Sequence, residues 1–230
     1  MEQTFRLNKR GYRLTATQPQ FSDEAWEHRT TYEKMDTVLV QAEGQKPVVL
    51  DGIAATFIDN SETDSIDTIT EAGVVTLAGR DYLALATEFV RFYFFKETRG
   101  DFQLALRHDL GSYSSDTDGS VRTYAMSHQP VLETLVKVVQ ISGTDFLLLD
   151  DDEGIHDKIW KKSDEAFNTH VYNSGLKKVI ELPTLMVRTV GVERDGAKEL
   201  LTGLTYSGRR LYYGHDFKPV EKPQATQQPA

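Results

Sequence analysis

The run Phe89-Val90-Arg91-Phe92-Tyr93-Phe94-Phe95, the breaker Glu97-Thr98-Arg99-Gly100-Asp101 and the run Phe102-Gln103-Leu104-Ala105-Leu106 follow one another directly. Aromatic and β-branched side chains suit a pleated, packed surface, and Gly100 supplies the backbone freedom of a tight reversal, so the segment reads as a β-hairpin. Val90, Phe92 and Phe94 fall on one face of that strand; Phe89, Arg91, Tyr93 and Phe95 fall on the other. Both faces are largely apolar. A strand of this kind needs cover on both sides, from a second sheet, another domain or another subunit, and Phe89, Phe92, Tyr93, Phe94 and Phe95 are the candidate interface residues.

The same grammar recurs along the chain. Two short apolar stretches flank Asn8-Lys9-Arg10-Gly11 between Thr4 and Thr17, and Thr37–Gln41 and Val48–Leu50 flank Glu43-Gly44-Gln45-Lys46-Pro47. Ile53–Ile58 and Val74–Leu77 continue the strands, with Asn60–Asp67 read as a polar surface loop. Tyr82, Leu85, Phe89 and Phe92 lie near helical spacing, but the aromatic strand outweighs that signal, leaving a short loop and then a strand. Farther on, Gln129–Ile141 fits a helix or a strand, and Ser142-Gly143-Thr144-Asp145 with Phe146–Leu149 favours a hairpin. Ile155, Ile159, Trp160, Phe167 and Val171 fit an amphipathic helix closed by Gly175. Val179–Leu182, Leu185–Val190, Leu200–Tyr206 and Arg210–Tyr213 read as strands.

Gly111, Ser112, Ser114, Ser115, Asp116, Asp118 and Gly119 mark the sharpest shift in composition. The expected scheme is a mainly β protein: a β-sandwich-like first domain over 1–112, a linker over 113–120, a smaller α+β domain over 121–217 with one helix, and a disordered Pro- and Gln-rich tail over 218–230.

Composition narrows the function classes. With no cysteine, thiolate nucleophiles, disulfides and Cys-ligated metals are excluded. A net charge of -9 argues against nonspecific nucleic-acid binding, which rests on cations meeting phosphates. No apolar run spans a bilayer and no signal core opens the chain, so the expectation is a protein that is neither membrane-inserted nor exported, cytoplasmic or carried in a virion.

Candidate chemistry is sparse. Asp150-Asp151-Asp152-Glu153-Gly154 after Phe146–Leu149 places Asp150 and Asp152 two positions apart beyond a buried strand, the pattern by which some phosphatases hold Mg²⁺, against the alternative of an acidic solvated turn. Asp116-Thr117-Asp118-Gly119-Ser120 resembles half of a calcium loop but lacks the further acidic ligands a full loop requires, so it reads as a Gly-Asp-Ser linker. His108-Asp109, His156-Asp157 and His215-Asp216 are adjacent pairs, and neighbours on a strand point to opposite faces. Arg99-Gly100-Asp101 spells an adhesion tripeptide at what reads as a hairpin tip. No catalytic residue and no cofactor is assigned.

Ala42-Glu43-Gly44-Gln45-Lys46-Pro47-Val48-Val49-Leu50-Asp51-Gly52, Ala54–Ile58, Asp67–Leu77 and Phe89–Phe95 follow an order of turn, strand, acidic step and strand. This order resembles the N-terminal immunoglobulin-like domain of phage baseplate upper proteins over roughly residues 41–106. The resemblance implies a docking module without catalytic residues, in a structural or binding protein of a phage or prophage tail, with self or tail proteins as partners. After Ser120 the chain departs from that pattern. The rival expectation is a cytoplasmic bacterial protein with a small-molecule or metal-dependent hydrolytic site using Asp150 and Asp152 or a His-Asp pair.

Overall fold

A computed structural model describes residues 1–17, 32–35, 37–58, 65–66, 68–87, 91–108, 131–150, 168–183, 191–195, 198–204, 209–214 and 216–221. The chain divides into two compact units, Met1–Leu132 and Glu133–Ala230. The stretch 113–120 expected as a linker lies outside the described residues.

In the first unit the strands are β1 (Glu2–Leu7), β2 (Arg10–Thr17), β3 (Tyr32–Met35), β4 (Thr37–Ala42), β5 (Val48–Val49), β6 (Ala54–Ile58) and β7 (Ser65–Ile66), then β8 (Ile69–Leu77), β9 (Arg80–Thr87), β10 (Phe92–Thr98) and β11 (Asp101–His108). They form antiparallel sheets in the orders β1-β2-β4-β5, β3-β6-β7 and β11-β10-β9-β8. A five-residue helix, α1 (Val131–Leu135), follows. The second unit holds β12 (Val136–Ile141), β13 (Thr144–Asp150), β14 (Asn168–Tyr172) and β15 (Lys178–Pro183) in one consecutive sheet. β16 (Gly191–Asp195), β17 (Lys198–Leu204), β18 (Arg210–Tyr213) and β19 (Pro219–Val220) form another. The protein is mainly β, in antiparallel sheets.

Four of the reversals are built alike. Asn8-Lys9 (φ 49° and 67°), Ala78-Gly79 (51° and 70°), Arg99-Gly100 (56° and 95°) and Ser142-Gly143 (49° and 78°) each put two consecutive residues in the left-handed region. That is the two-residue connection whose twist matches the strands it joins, and it fixes the registers Leu7↔Arg10, Leu77↔Arg80, Thr98↔Asp101 and Ile141↔Thr144.

Each unit closes a core between two of its sheets. In the first, Leu7, Tyr12, Leu14, Val38 and Val40 from the β1-β2-β4-β5 sheet pack with Leu83, Leu85, Tyr93, Phe95 and Phe102 from the β8–β11 sheet. β2 alternates buried and exposed residues, the pattern of a sheet with one wet face. β9 and β10 do not alternate. Leu83 and Leu85 oppose Phe95 and Tyr93 toward the shared core, while Ala84 and Ala86 oppose Phe94 and Phe92 on the other face. Small alanines opposite large rings let both faces pack, and Phe92, Tyr93, Phe94 and Phe95 are all 0% exposed.

A β-bulge completes this arrangement. Phe94 pairs with Leu106 and Phe95 with Leu104, so Ala105 has no counterpart on β10. Phe102 and His108 are an even number apart and would share a face of a regular strand; the extra residue sends them to opposite faces, Phe102 to the shared core and His108 beside Phe92. Gln3 ties the two sheets together. Its side-chain N–H donates to the Ala72 carbonyl at 2.7 Å and its Oε1 accepts the Ala72 N–H at 3.2 Å, imitating one rung of a strand on the free edge of β8. In the second unit Ile141, Phe146, Leu148, Val171 and Leu182 pack with Leu201, Tyr213 and Phe217, and the Phe146 and Phe217 rings meet edge to face at 4.7 Å.

The structure corrects several expectations. Tyr82–Thr87, read as a short loop, is strand β9. Ser65–Ile66, within the expected polar loop, pairs with β6. Val171, assigned to an amphipathic helix, lies in β14 between β13 and β15; the remainder of that helix, from Ile155 to Phe167, lies outside the described residues. Apart from the end of α1, the described residues of the second unit contain no helix, so the α+β expectation is not supported. Pro219–Val220, assigned to a disordered tail, pairs with Tyr213 and Tyr212. Leu185–Val190 and the half calcium loop at Asp116 lie outside the described residues.

Candidate interaction surface

The described residues among those singled out in the sequence do not converge. Phe92, Tyr93, Phe94 and Phe95 are interior to this chain, and a side chain with no exposed area offers none to a partner; Phe89 lies outside the described residues. Asp150 ends β13 opposite Thr169, and Asp152 lies outside the described residues. His108 is buried with its ring stacked on Phe92 at 6.2 Å. Its neighbour Asp109, both members of His156-Asp157, and His215 lie outside the described residues. Among the described residues no three His, Asp or Glu side chains are placed to hold one metal ion.

What the first unit does bring together is one end of its sheets. β4 runs alongside β1 across β2, with Tyr12 paired to both Phe5 and Ala42, so the loop after Ala42 lies at the same end as Asn8-Lys9. Asn8 then reaches the other sheet. Its backbone N–H donates to Asp81 Oδ2 at 3.3 Å, and its side-chain N–H donates to Glu97 Oε2 at 2.7 Å. The second oxygen of each acid is also occupied: Thr76 Oγ1–H donates to Asp81 Oδ1 at 2.6 Å, and the Gly100 N–H donates to Glu97 Oε1 at 2.7 Å. Three hairpin reversals are therefore laced through one asparagine. A Cβ on Gly100 would stand 3.8 Å from Gln45 Oε1, which brings the β4–β5 loop beside the Arg99-Gly100 reversal.

Sequence reasoning found the turns at Asn8-Lys9 and Arg99-Gly100 and missed both the Ala78-Gly79 reversal and the lacing. Asn at a left-handed position is expected from its tolerance of positive φ, but its two long-range acceptors are set by how the sheets stack. The Arg99-Gly100-Asp101 tripeptide sits at this end, with Arg99 and Asp101 exposed and Gly100 in the reversal.

Beside the tips, a shallow concavity of about 760 Å³ lies against Thr4, Arg6, Gly11, Arg13, Gln41 and Glu43. Strand alternation sets Thr4, Arg6, Arg13 and Gln41 on the wet face, opposite the core-facing Tyr12. No atom approaches within 4 Å of where a Gly11 Cβ would stand. Arg13 pairs with Glu2 at 3.5 Å across an exposed face, an interaction of little energetic weight.

Tyr12 carries an anomaly of the first unit's interior. Its ring lies between Phe5, stacked at 5.5 Å, and Phe102, edge-on at 5.5 Å, and its hydroxyl is buried with no well-formed hydrogen bond among the described residues, the Arg10 side chain being a polar neighbour. Burial, with the Glu97 carboxylate adding to it and Arg10 opposing, raises the phenol above its ordinary range. Tyr12→Phe is expected to leave stability within about 1 kcal/mol of the parent at neutral pH, shifted toward the stabilising side, because it deletes a buried hydroxyl with no well-formed hydrogen bond. With the folded pKa above the unfolded one, the parent's phenol contributes fully below about pH 10 and loses that contribution as pH rises further. Urea denaturation at neutral pH and above pH 10 checks both: the variant should lose less stability across that interval, and an equal loss would overturn the assignment.

Comparison with protein-family models, with curated proteins and with solved structures returns no match for this chain.

Proposed function

We propose that this is a non-enzymatic structural or binding protein that works by docking its surface on other proteins, as a component of a phage or prophage tail or baseplate would. The observation that carries the reading is the lacing of three reversals through Asn8, Asp81 and Glu97. Loops usually carry mobility; here the tips are fixed to one another and to two packed sheets, so a partner meets a preorganised surface and its binding costs little ordering entropy. The baseplate-type resemblance over residues 41–106 agrees with a docking role, since that module brings no catalytic residues.

Two measurements test this. Size-exclusion chromatography with light scattering over a wide concentration range should show mass rising with concentration; a strict monomer throughout would sink the self-assembling form of the reading. Chromogenic phosphate, ester and glycoside substrates, assayed with and without Mg²⁺, should show no turnover attributable to the protein. Hydrolysis abolished by Asp150→Asn or Asp152→Asn would overturn the reading in favour of a hydrolase.

A further inference from the structure

The laced end of the first unit separates its charges in an uneven way. Lys9 lies in the β1–β2 reversal, Lys46 in the β4–β5 loop, Arg80 directly after Ala78-Gly79, and Arg99 in the β10–β11 reversal. All four are exposed, and none of the four has an ion pair or a side-chain hydrogen bond among the described residues. The acids nearest the tips, Asp81 and Glu97, have all four carboxylate oxygens turned to neutral donors, from Asn8, Thr76 and Gly100. They act as struts behind the tips and leave the cations unneutralised by direct pairing. Glu43 and Asp101 are the other exposed acids at this end.

We infer that this end is a docking surface for a short acidic segment of a partner protein, its carboxylates meeting Lys9, Arg80 and Arg99. Guanidinium groups present paired N–H donors that match carboxylate geometry, and tips held by the Asn8 lacing keep their spacing without a partner present. The chain's net charge of -9 weighs against a long polyanion such as nucleic acid. Binding of a long polyanion draws on cations along its length, whereas a short segment feels only charges within roughly 8 Å at physiological salt. This inference rests on the docking role proposed above and supplies the partner's chemistry.

The test uses the full chain and fluorescence anisotropy with three labelled probes: a peptide of glutamates spaced by glycine and serine, its lysine counterpart, and a single-stranded oligonucleotide. The glutamate peptide should bind at low ionic strength, weaken as salt rises, and bind the combined variant Lys9→Asn, Arg80→Gln, Arg99→Asn at least about tenfold more weakly. Asparagine is chosen because positions 9 and 99 have positive φ, so the backbone is kept while the charge is removed. Lys177→Gln, an exposed charge in the second unit, should leave binding unchanged. Absence of glutamate-peptide binding at low salt, or equal binding by the combined variant, overturns the inference. Equal binding of the oligonucleotide, lost in the same variant, also overturns it and reassigns the surface to polyanions. None of these results depends on self-association or turnover, so failure here and failure of the docking role are told apart.

Discussion

Phe95→Ala is expected to destabilise the first unit by about 3–5 kcal/mol, the range for deleting a buried aromatic ring. Phe95 is 0% exposed, lies opposite Leu83 on one side and Leu104 on the other, and belongs to the core shared by the two sheets. Its neighbours in that core are held by strand pairing at both edges of β10, so they cannot collapse into the space, and the cost should lie well above the transfer term alone. Domains are stable by only about 5–15 kcal/mol, so the loss is a large share of the total. Phe5→Ala is the matched control. Phe5 is only half-buried at the margin of the same core and should cost about 1–2 kcal/mol. Urea denaturation of the two variants beside the parent gives the comparison, with amide exchange across β9 and β10 locating the loss. A cost for Phe95→Ala no greater than that for Phe5→Ala would mean that the strand is not the centre of a two-sheet core.

The reversals were legible because their chemistry is local. Asn-Lys, Arg-Gly and Ser-Gly between apolar runs announce two-residue hairpins, and Asn8-Lys9, Arg99-Gly100 and Ser142-Gly143 occupy those positions. The two-faced character of β10 was legible for a related reason, since apolar residues at both parities of a short run leave no wet face. The same property concealed β9. Tyr82-Leu83-Ala84-Leu85-Ala86 has no alternation because both its faces are covered, and its apolar positions happen to fall near helical spacing, so periodicity offered no means of recognising a strand. Only pairing with β10 and β8 decides it. Val171 fails in the same manner: its spacing from Phe167 suits a helix face, yet Leu148 and Ile180 stand opposite it on adjacent strands. The bulge at Ala105 has no sequence mark at all. The candidate surface was half legible, since Lys9 and Arg99 belong to hairpins read in the sequence, but the Ala78-Gly79 reversal beside Arg80 was not read, and the contacts of Asn8 with Asp81 and Glu97 span sequence separations of 73 and 89 residues. Turn chemistry acts over four residues; such contacts depend on which sheet faces which.

Leu148→Ala in the second unit is the other large expected effect, about 2–5 kcal/mol. Leu148 is 2% exposed and lies in β13 between Lys137 on β12 and Val171 on β14, within the core that joins the two sheets of this unit through Leu201, Tyr213 and Phe217. A leucine at the middle strand of a four-stranded sheet is enclosed laterally by backbone ladders and above by the opposing sheet, so truncation leaves a cavity rather than a dent. The control is Val138→Ala on the adjacent edge strand. Val138 is 41% exposed, and removing part of its side chain should cost under about 1 kcal/mol. The comparison bears on architecture as well as energy: in the amphipathic-helix expectation Val171 shares an apolar face with Phe167 and has no pairing with Leu148, whereas in β14 it stands directly opposite Leu148. In the β14 arrangement Val171 is 0% exposed beside Leu148, and Val171→Thr places a hydroxyl among the apolar side chains of Leu148, Ile180 and Leu182. That substitution should cost about 1–3 kcal/mol and couple to Leu148→Ala in a double-mutant cycle. Additive effects from the two sites would break the assignment of residue 171 to the strand beside β13.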